Sequence, residues 1–105
     1  MVPLLVVAAE ASADRYAAAV IRELRLLVPG LAPYGVGGDE LVREGVELLC
    51  HQRELAVVGL VEALTTIPRA LRLMGVLVRE AEQRGLQWAL LVDAPDFNLP
   101  LARRL

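Results

Sequence analysis

The 105-residue sequence contains one cysteine and one histidine. Cys50 therefore has no partner for an intrachain disulfide, and Cys50 and His51 alone cannot assemble a zinc-ligand spacing, which fits a reducing compartment. Aromatic residues make up 4% of a chain that is 56% hydrophobic, so the core must be built from Leu, Val and Ala. There is no basic block: 11 basic and 13 acidic residues are interspersed and leave a net charge of −2. Such a chain cannot track a phosphate backbone, and nucleic acid is not expected as a partner. No apolar run approaches membrane-spanning length. The opening stretch Val2 to Ala9 is too short, lacks a basic leader and runs into Glu10, so the expectation is a cytoplasmic chain. Without repeats or low-complexity tracts, the length accommodates one domain. Mean hydropathy is nevertheless +0.50, high for a small soluble domain, so some apolar surface is expected to face a partner or a membrane.

What is present is a pattern of strands and helices. Trp88-Ala89-Leu90-Leu91-Val92 is a continuous apolar run of strand length that stops at Asp93-Ala94-Pro95-Asp96-Phe97-Asn98. It reads as a buried parallel strand, with Asp93 at its carboxyl rim, where open α/β sheets bind ligands. Pro95 removes a backbone donor and stiffens that loop. Leu4 to Ala8 is a second buried strand, and the helix after it places Ala17, Val20, Ile21, Leu24, Leu27 and Val28 on one face before Pro29-Gly30 ends it. Tyr34 to Gly38 predicts a short strand emptying into a glycine turn, Asp39 to Glu44 a short helix closed by Gly45, and Val46 to Leu49 a further strand. A polar connection, His51 to Glu54, follows. Pro68 predicts the first turn of a long helix that ends near Arg84 with Gly85 as its stop. That helix carries two apolar rows, one of Ala70, Leu73, Leu77 and Ala81 and one of Ile67, Leu71, Met74 and Val78. Two rows suit either a helix packed between sheet and neighbouring helix or an exposed contact surface. Alternating strands and helices predict an α/β fold, a Rossmann-like parallel sheet of about four strands with flanking helices. In such a sheet the first strand and the strand after the long helix are neighbours. The far edge of Trp88 to Val92 is then expected to be unpaired within the chain, which stops at Leu105 early in its last helix. A homo-oligomer formed through that edge, or through the rows of the long helix, is the expected consequence.

The chemistry-bearing residues gather at the strand ends. The first turn, Ala8 to Asp14, has no glycine and carries carboxylates that would repel a pyrophosphate; residue chemistry favours Ser12 as helix N-cap, with acids complementing the dipole. Gly35-Val36-Gly37-Gly38 could allow a ligand to approach the backbone, but a tight turn is the better reading. His51 has no orienting neighbour in sequence and reads as a hydrogen-bonded loop residue. Asp93 and Asp96 are the best candidates. Either they serve proton abstraction at the rim, or Asp93 merely ends a strand while Asp96 or Asn98 caps the last helix.

Four segments together resemble lipid-A-disaccharide synthase, a family of bacterial glycosyltransferases: Glu10 to Asp14, Gly35 to Gly38 with Gly45, Glu54-Leu55-Ala56-Val57-Val58-Gly59, and Asp93 to Asn98. Their order and spacing match the family's amino-terminal portion across essentially the whole chain. The resemblance implies the first half of a two-lobed GT-B glycosyltransferase, with the acceptor lobe here and a UDP-sugar lobe beyond it. It further implies transfer of 2,3-diacylglucosamine from UDP to 2,3-diacylglucosamine 1-phosphate, with inversion, without metal or cofactor, at the inner membrane face. Asp93 would then be the base, and Glu10, Ser12, Asp14, Gly37, Gly38, Asp96 and Asn98 would line the substrate site. Val61, Leu64, Ile67 and Leu71, beside Arg69 and Arg72, would contact the membrane. The sequence departs from the family's pattern at Ala9 and Ala13, where glycines are usual, and at Val58, where methionine is. With no UDP-binding lobe in the chain, turnover by it alone is not expected, and the alternative is a non-catalytic binding or regulatory remnant of the same fold.

Overall fold

The structure, a computed structural model, describes the backbone of residues 1–55 and 60–105, and side chains except those of residues 55–67. Most of the third matching segment, from Ala56 to Gly59, and the side chains of Leu55, Val61, Leu64 and Ile67 therefore lie outside the described residues.

The elements run β1 (Val2–Ala8), α1 (Ala11–Leu27), β2 (Leu31–Gly37), α2 (Asp39–Arg43), β3 (Glu47–His51), a 3-10 turn (Gln52–Leu55), α3 (Leu60–Arg84), β4 (Trp88–Val92) and α4 (Pro95–Arg104). All pairings are parallel, in the order β3-β2-β1-β4. This is the α/β, Rossmann-like arrangement that the alternation predicted. β1 lies inside the sheet, which explains its unbroken apolar run: Leu4, Val6 and Ala8 face α1 and α2, while Leu5 and Val7 face α3 and α4. On the first face the core is closed by Ala13, Ala17, Ala18 and Ile21 of α1 and Leu41 of α2. On the second it is closed by Tyr34, Val36, Leu73, Met74, Leu77 and Leu101.

Several local expectations are corrected. The stripe that α1 buries runs through Ala13, Ala17, Ala18 and Ile21, and Leu27 is 78% exposed with Val20 also at the surface. Alanines allow the helix axis to come close to the sheet, and that close approach turns the bulkier residues outward. β3 extends to His51, so His51 ends a strand. Pro68 stands well inside α3 instead of in its first turn; the ladder loses one N–H there, a loss that a 25-residue helix carries across. At the other end Gly85, at φ +75°, stops α3 as expected, and Leu86 N–H reaches back to the Ala81 carbonyl at 2.9 Å. Nearby, the Arg84 guanidinium lies 4.3 Å from the Tyr34 ring centroid and binds Glu47 at 2.7 Å and Glu80 at 3.0 Å, tying the end of α3 to β2 and β3. The first apolar row of α3 is largely buried. In the second, Met74 is buried and Val78 packs on the core, while Leu71 is 61% exposed beside the exposed Arg69 and Arg72.

β4 is flanked by β1 on one side and, among the described residues, by no strand on the other. Trp88 is 66% exposed and borders an open apolar groove of about 390 Å³ with Val2, Leu4, Leu24, Val28, Leu31 and Leu90.

The tightest backbone approach in the sheet is at Gly35, which has φ +146° and would place a Cβ 1.9 Å from the Val6 carbonyl oxygen. Both the dihedral and the contact forbid a side chain, because β1 and β2 are fixed by their shared register. Gly35→Ala should lower unfolding stability by roughly 2–4 kcal/mol in a denaturant titration; a loss below about 0.5 kcal/mol would show that the strands can separate locally at little cost.

Candidate functional site

The carboxyl ends of the strands form one rim. β1 is followed by α1 on one face, whereas α3 on the other face delivers the chain into β4, so the crossovers diverge between β1 and β4. This is the topological switch point, where open α/β sheets bind ligands. Register pairs Ala8 with Val92, so Ala9-Glu10 and Asp93-Ala94 open the crevice from its two sides.

Among the described residues, Asp93 and Ala94 are the two non-glycine residues with positive φ, at 54° and 45°. A left-handed conformation costs an ordinary residue on the order of 1–3 kcal/mol and persists only where surrounding contacts impose it. Two such contacts are present. Pro95 occupies the first position of α4, where its missing N–H is not needed. Asn98, only 4% exposed, turns its amide back to the strand end and donates from Nδ2 to the carbonyls of Asp93 at 2.7 Å and Val92 at 3.4 Å. The opposite amide orientation would set Oδ1 against two carbonyl oxygens, so the assignment follows from the network. Oδ1 itself is buried without a partner among the described residues. The cap of α4 is Ala94; neither Asp96 nor Asn98 caps it. Pro95 starts the helix one residue before Asp96, whose charge still suits the first turn. The Asp93 carboxylate is exposed and meets no donor among the described residues.

Across the crevice, Glu10 is the N-cap of α1 in extended conformation, its side chain making no cap bond, and Ser12 lies within the first turn. Ser12 is thus not the cap, because the helix already begins at Ala11. Asp14 sits on the other side of that turn, 4% exposed. Its Oδ1 accepts N–H groups from Gly38 at 2.9 Å and Leu41 at 3.1 Å, and its Oδ2 accepts that of Glu40 at 3.0 Å. Asp14 therefore caps α2 from a distant part of the chain. Gly38 must lack a side chain, since a Cβ there would lie 2.7 Å from Asp14 Oδ2 and equally close to the Gln52 amide, and a Cβ on Gly37 would lie 2.2 Å from Leu41 Cδ1. The two glycines serve this packing directly. Gln52, not singled out from the sequence, sends its amide nitrogen to the carbonyls of Ala8 at 3.2 Å and Glu10 at 2.9 Å, bracing the end of β3 against the first turn. Only its place immediately after a strand hinted at that role.

His51 and Cys50 lie at the other edge of the sheet, three strand spacings or about 14 Å from β4. His51 Nε2 meets Asp39 Oδ1 at 3.0 Å, and Nδ1 accepts the Arg53 N–H at 3.2 Å. The accepting Nδ1 leaves the proton on Nε2, so both nitrogens are engaged and His51 links β3 to α2. The hydrogen bond from His51 holds the Asp39 carboxyl below its usual range. Burial, reinforced by Glu54, pushes the Cys50 thiol up to about 12, which leaves it protonated and unreactive near neutral pH. At the rim, the carboxylates of Glu10, Asp93 and Asp96 have no side-chain partner among the described residues.

The profile of the family described as lipid-A-disaccharide synthetase matches residues 4–105. The chain belongs to this family. It is 50% identical over 97% of its length to a lipid-A-disaccharide synthase of Anaeromyxobacter dehalogenans, covering 27% of that protein. The corresponding protein of Myxococcus xanthus is 47% identical over 97% of the chain and is likewise covered for 27%; that of Solibacter usitatus is 41% identical over 100%, with 28% covered. The chain thus spans little more than a quarter of the curated synthases it matches. The matched segment contains every rim residue described above. One departure from the usual synthase pattern is explained by position: Ala13 is fully buried in the α1 face of the core, so its methyl packs against the sheet and does not narrow the crevice. Ala9 does border the crevice.

Removing the Asp14 carboxylate would strand three backbone donors, two of them in buried bonds. Asp14→Ala should cost roughly 2–4 kcal/mol in chemical denaturation, with Asp14→Asn between it and the parent protein, since the amide keeps one acceptor. A loss under about 0.5 kcal/mol would mean that water replaces the carboxylate freely.

Proposed function

We propose that this chain is the acceptor-side portion of a two-lobed GT-B glycosyltransferase, with Asp93 as its catalytic base. The observation that carries the reading is the placement of Asp93: an exposed carboxylate without a partner among the described residues, at the switch point and in a left-handed turn at the end of β4. In the proposed reaction Asp93 takes the proton of the acceptor hydroxyl of 2,3-diacylglucosamine 1-phosphate as that oxygen attacks the anomeric carbon of UDP-2,3-diacylglucosamine. The new C–O bond forms as the bond to UDP breaks, UDP leaves with the electron pair, and attack from the opposite face inverts the centre. Glu10 and Ser12 on one side, and Asp96 on the other, border the acceptor. UDP is held by a second lobe, in keeping with the fraction of the synthases that this chain spans, and no metal or cofactor takes part.

The alternative, a non-catalytic binding remnant, is favoured by Ala9, which puts a methyl at the crevice where the family's pattern has glycine. One assay separates the two readings. The chain alone should form no disaccharide; supplied with the remaining length of the Anaeromyxobacter relative, it should turn over, and Asp93→Asn should lower kcat by about 10²–10⁴-fold with little change in melting temperature. Absence of turnover by a folded pair would favour the remnant, and retained activity in Asp93→Asn would remove Asp93 as the base.

We also propose that the protein lies at the inner face of the membrane as a peripheral protein and associates with itself. No helix of the described residues is long and apolar enough to cross a bilayer. The exposed Leu71 between Arg69 and Arg72 supports interfacial contact, as do the apolar Val61, Leu64 and Ile67 of the sequence. The open edge of β4 beside Trp88 supports a dimer. Co-sedimentation with anionic vesicles should fall several-fold in Leu71→Glu, and the lipid-free control should sediment as a dimer. Unchanged binding would return Leu71 to the protein surface proper, and a monomeric control would leave the edge unused.

A further inference from the structure

We propose that Asn98 is a positioning residue for Asp93: it acts through the backbone of the strand-end turn and does not bind substrate. The inference rests on the reading of Asp93 as the base. Asn98 comes from the first turn of α4, yet its Nδ2 reaches backward to the carbonyls of Asp93 and Val92. Those carbonyls belong to the last strand residue and to the first of the two left-handed residues. The direction of the Asp93 side chain is set by the backbone dihedrals at that residue, and the Asp93 carbonyl is the atom through which those dihedrals are held. At 4% exposure, and with both Nδ2 contacts on main-chain oxygens, the donating end of the amide is committed to the turn.

The arrangement makes the N–H donor, and not the size of the side chain, the functional element. Asn98→Asp keeps the shape but replaces the donor with an oxygen facing two carbonyl oxygens. The turn then loses its tie, and the carboxylate of Asp93 samples directions other than the one aimed at the acceptor hydroxyl. A misplacement of about 1 Å at a reacting group is enough for a loss on the order of 100-fold.

The experiment is a cycle of variants in the two-lobed protein, this chain with the remaining length of its Anaeromyxobacter relative supplied. Asn98→Asp should lower kcat by about 10–100-fold while the KM for acceptor stays within about twofold. In an Asp93→Asn background it should lower kcat no further, because a residue that acts only through Asp93 has nothing left to position. Adding Ala94→Gly to Asn98→Asp should restore part of the lost kcat, since glycine takes the left-handed conformation without strain; this also serves if Asn98→Asp alone folds poorly. Independent losses that multiply in the double variant, or a raised KM at constant kcat, would show that Asn98 contacts substrate and overturn the proposal. So would an Asn98→Asp protein with the parent's kcat, or a folded Ala94→Gly, Asn98→Asp double variant in which glycine at 94 rescues nothing. If Asp93→Asn retains activity, the base assignment fails on its own; Asn98 is then judged by amide hydrogen exchange over residues 93–98, which Asn98→Asp should accelerate and which an unchanged pattern would contradict.

Discussion

The carboxylate of Asp14 accepts backbone N–H groups from a turn 24 to 27 residues further along the chain, and the shape of the rim depends on that contact. It fixes the start of α1 against the start of α2, above strand ends whose spacing the β1–β2 ladder already sets. The two glycines before α2 follow from it, because a side chain at Gly38 would occupy the space of the carboxylate and one at Gly37 that of Leu41. Gln52 then needs only to reach the carbonyls of Ala8 and Glu10 to bring the end of β3 into the same assembly. Three strand ends are thereby held by two polar side chains, which leaves the fourth, β4, to be organised by its own turn.

That division explains why the two halves of the rim differ in character. On the side of β2 and β3, titratable groups are engaged: Asp14 with backbone donors, His51 with Asp39 and Arg53, Cys50 with Glu54. On the side of β1 and β4 the carboxylates of Glu10, Asp93 and Asp96 are exposed and have no partner among the described residues. The two sets of acids differ in hydrogen-bond occupancy, and that separates Asp14, whose carboxylate accepts three backbone N–H groups, from Asp93, although the two look alike at the level of composition.

The fold was largely legible in the sequence, and the physical reason is that its strongest signals are local. Leu4 to Ala8 and Trp88 to Val92 are buried parallel strands, and a continuous apolar run bounded by polar residues suits little else at that length. Gly85 as a helix stop is likewise local, a matter of one dihedral. The errors arose where a distant partner decides. Ser12, Asp96 and Asn98 all have the chemistry of N-caps, yet none of the three caps its helix, while Asp14 caps one that is not its own. The buried stripe of α1 was misplaced because hydrophobicity favours Leu27 and Val20, whereas close packing on the sheet favours alanine. Of the site, the position of Asp93 could be read from the end of an apolar run, but the left-handed turn beneath it could not, because nothing in Asp93-Ala94 announces positive φ.

That turn is the less obvious choice on energetic grounds, since glycine at residue 94 would take the same dihedrals freely. Glycine would also admit others, so it would hold the preceding carboxylate less narrowly than alanine does with the Asn98 tie in place. With alanine the left-handed state is costly, but the competitors are costly as well. The residue before a proline is disfavoured in the right-handed α region, so Ala94 cannot simply join α4 and pull Asp93 into the helix. Asn98 then adds a tie to the carbonyls on the near side of the turn. Pro95 closes one alternative and Asn98 holds the conformation that is left, which fixes Asp93 more narrowly than an unstrained turn would. In the proposed role of base, which requires Asp93 to meet a hydroxyl within hydrogen-bond reach, that narrowness is the useful property, and the strain is its consequence.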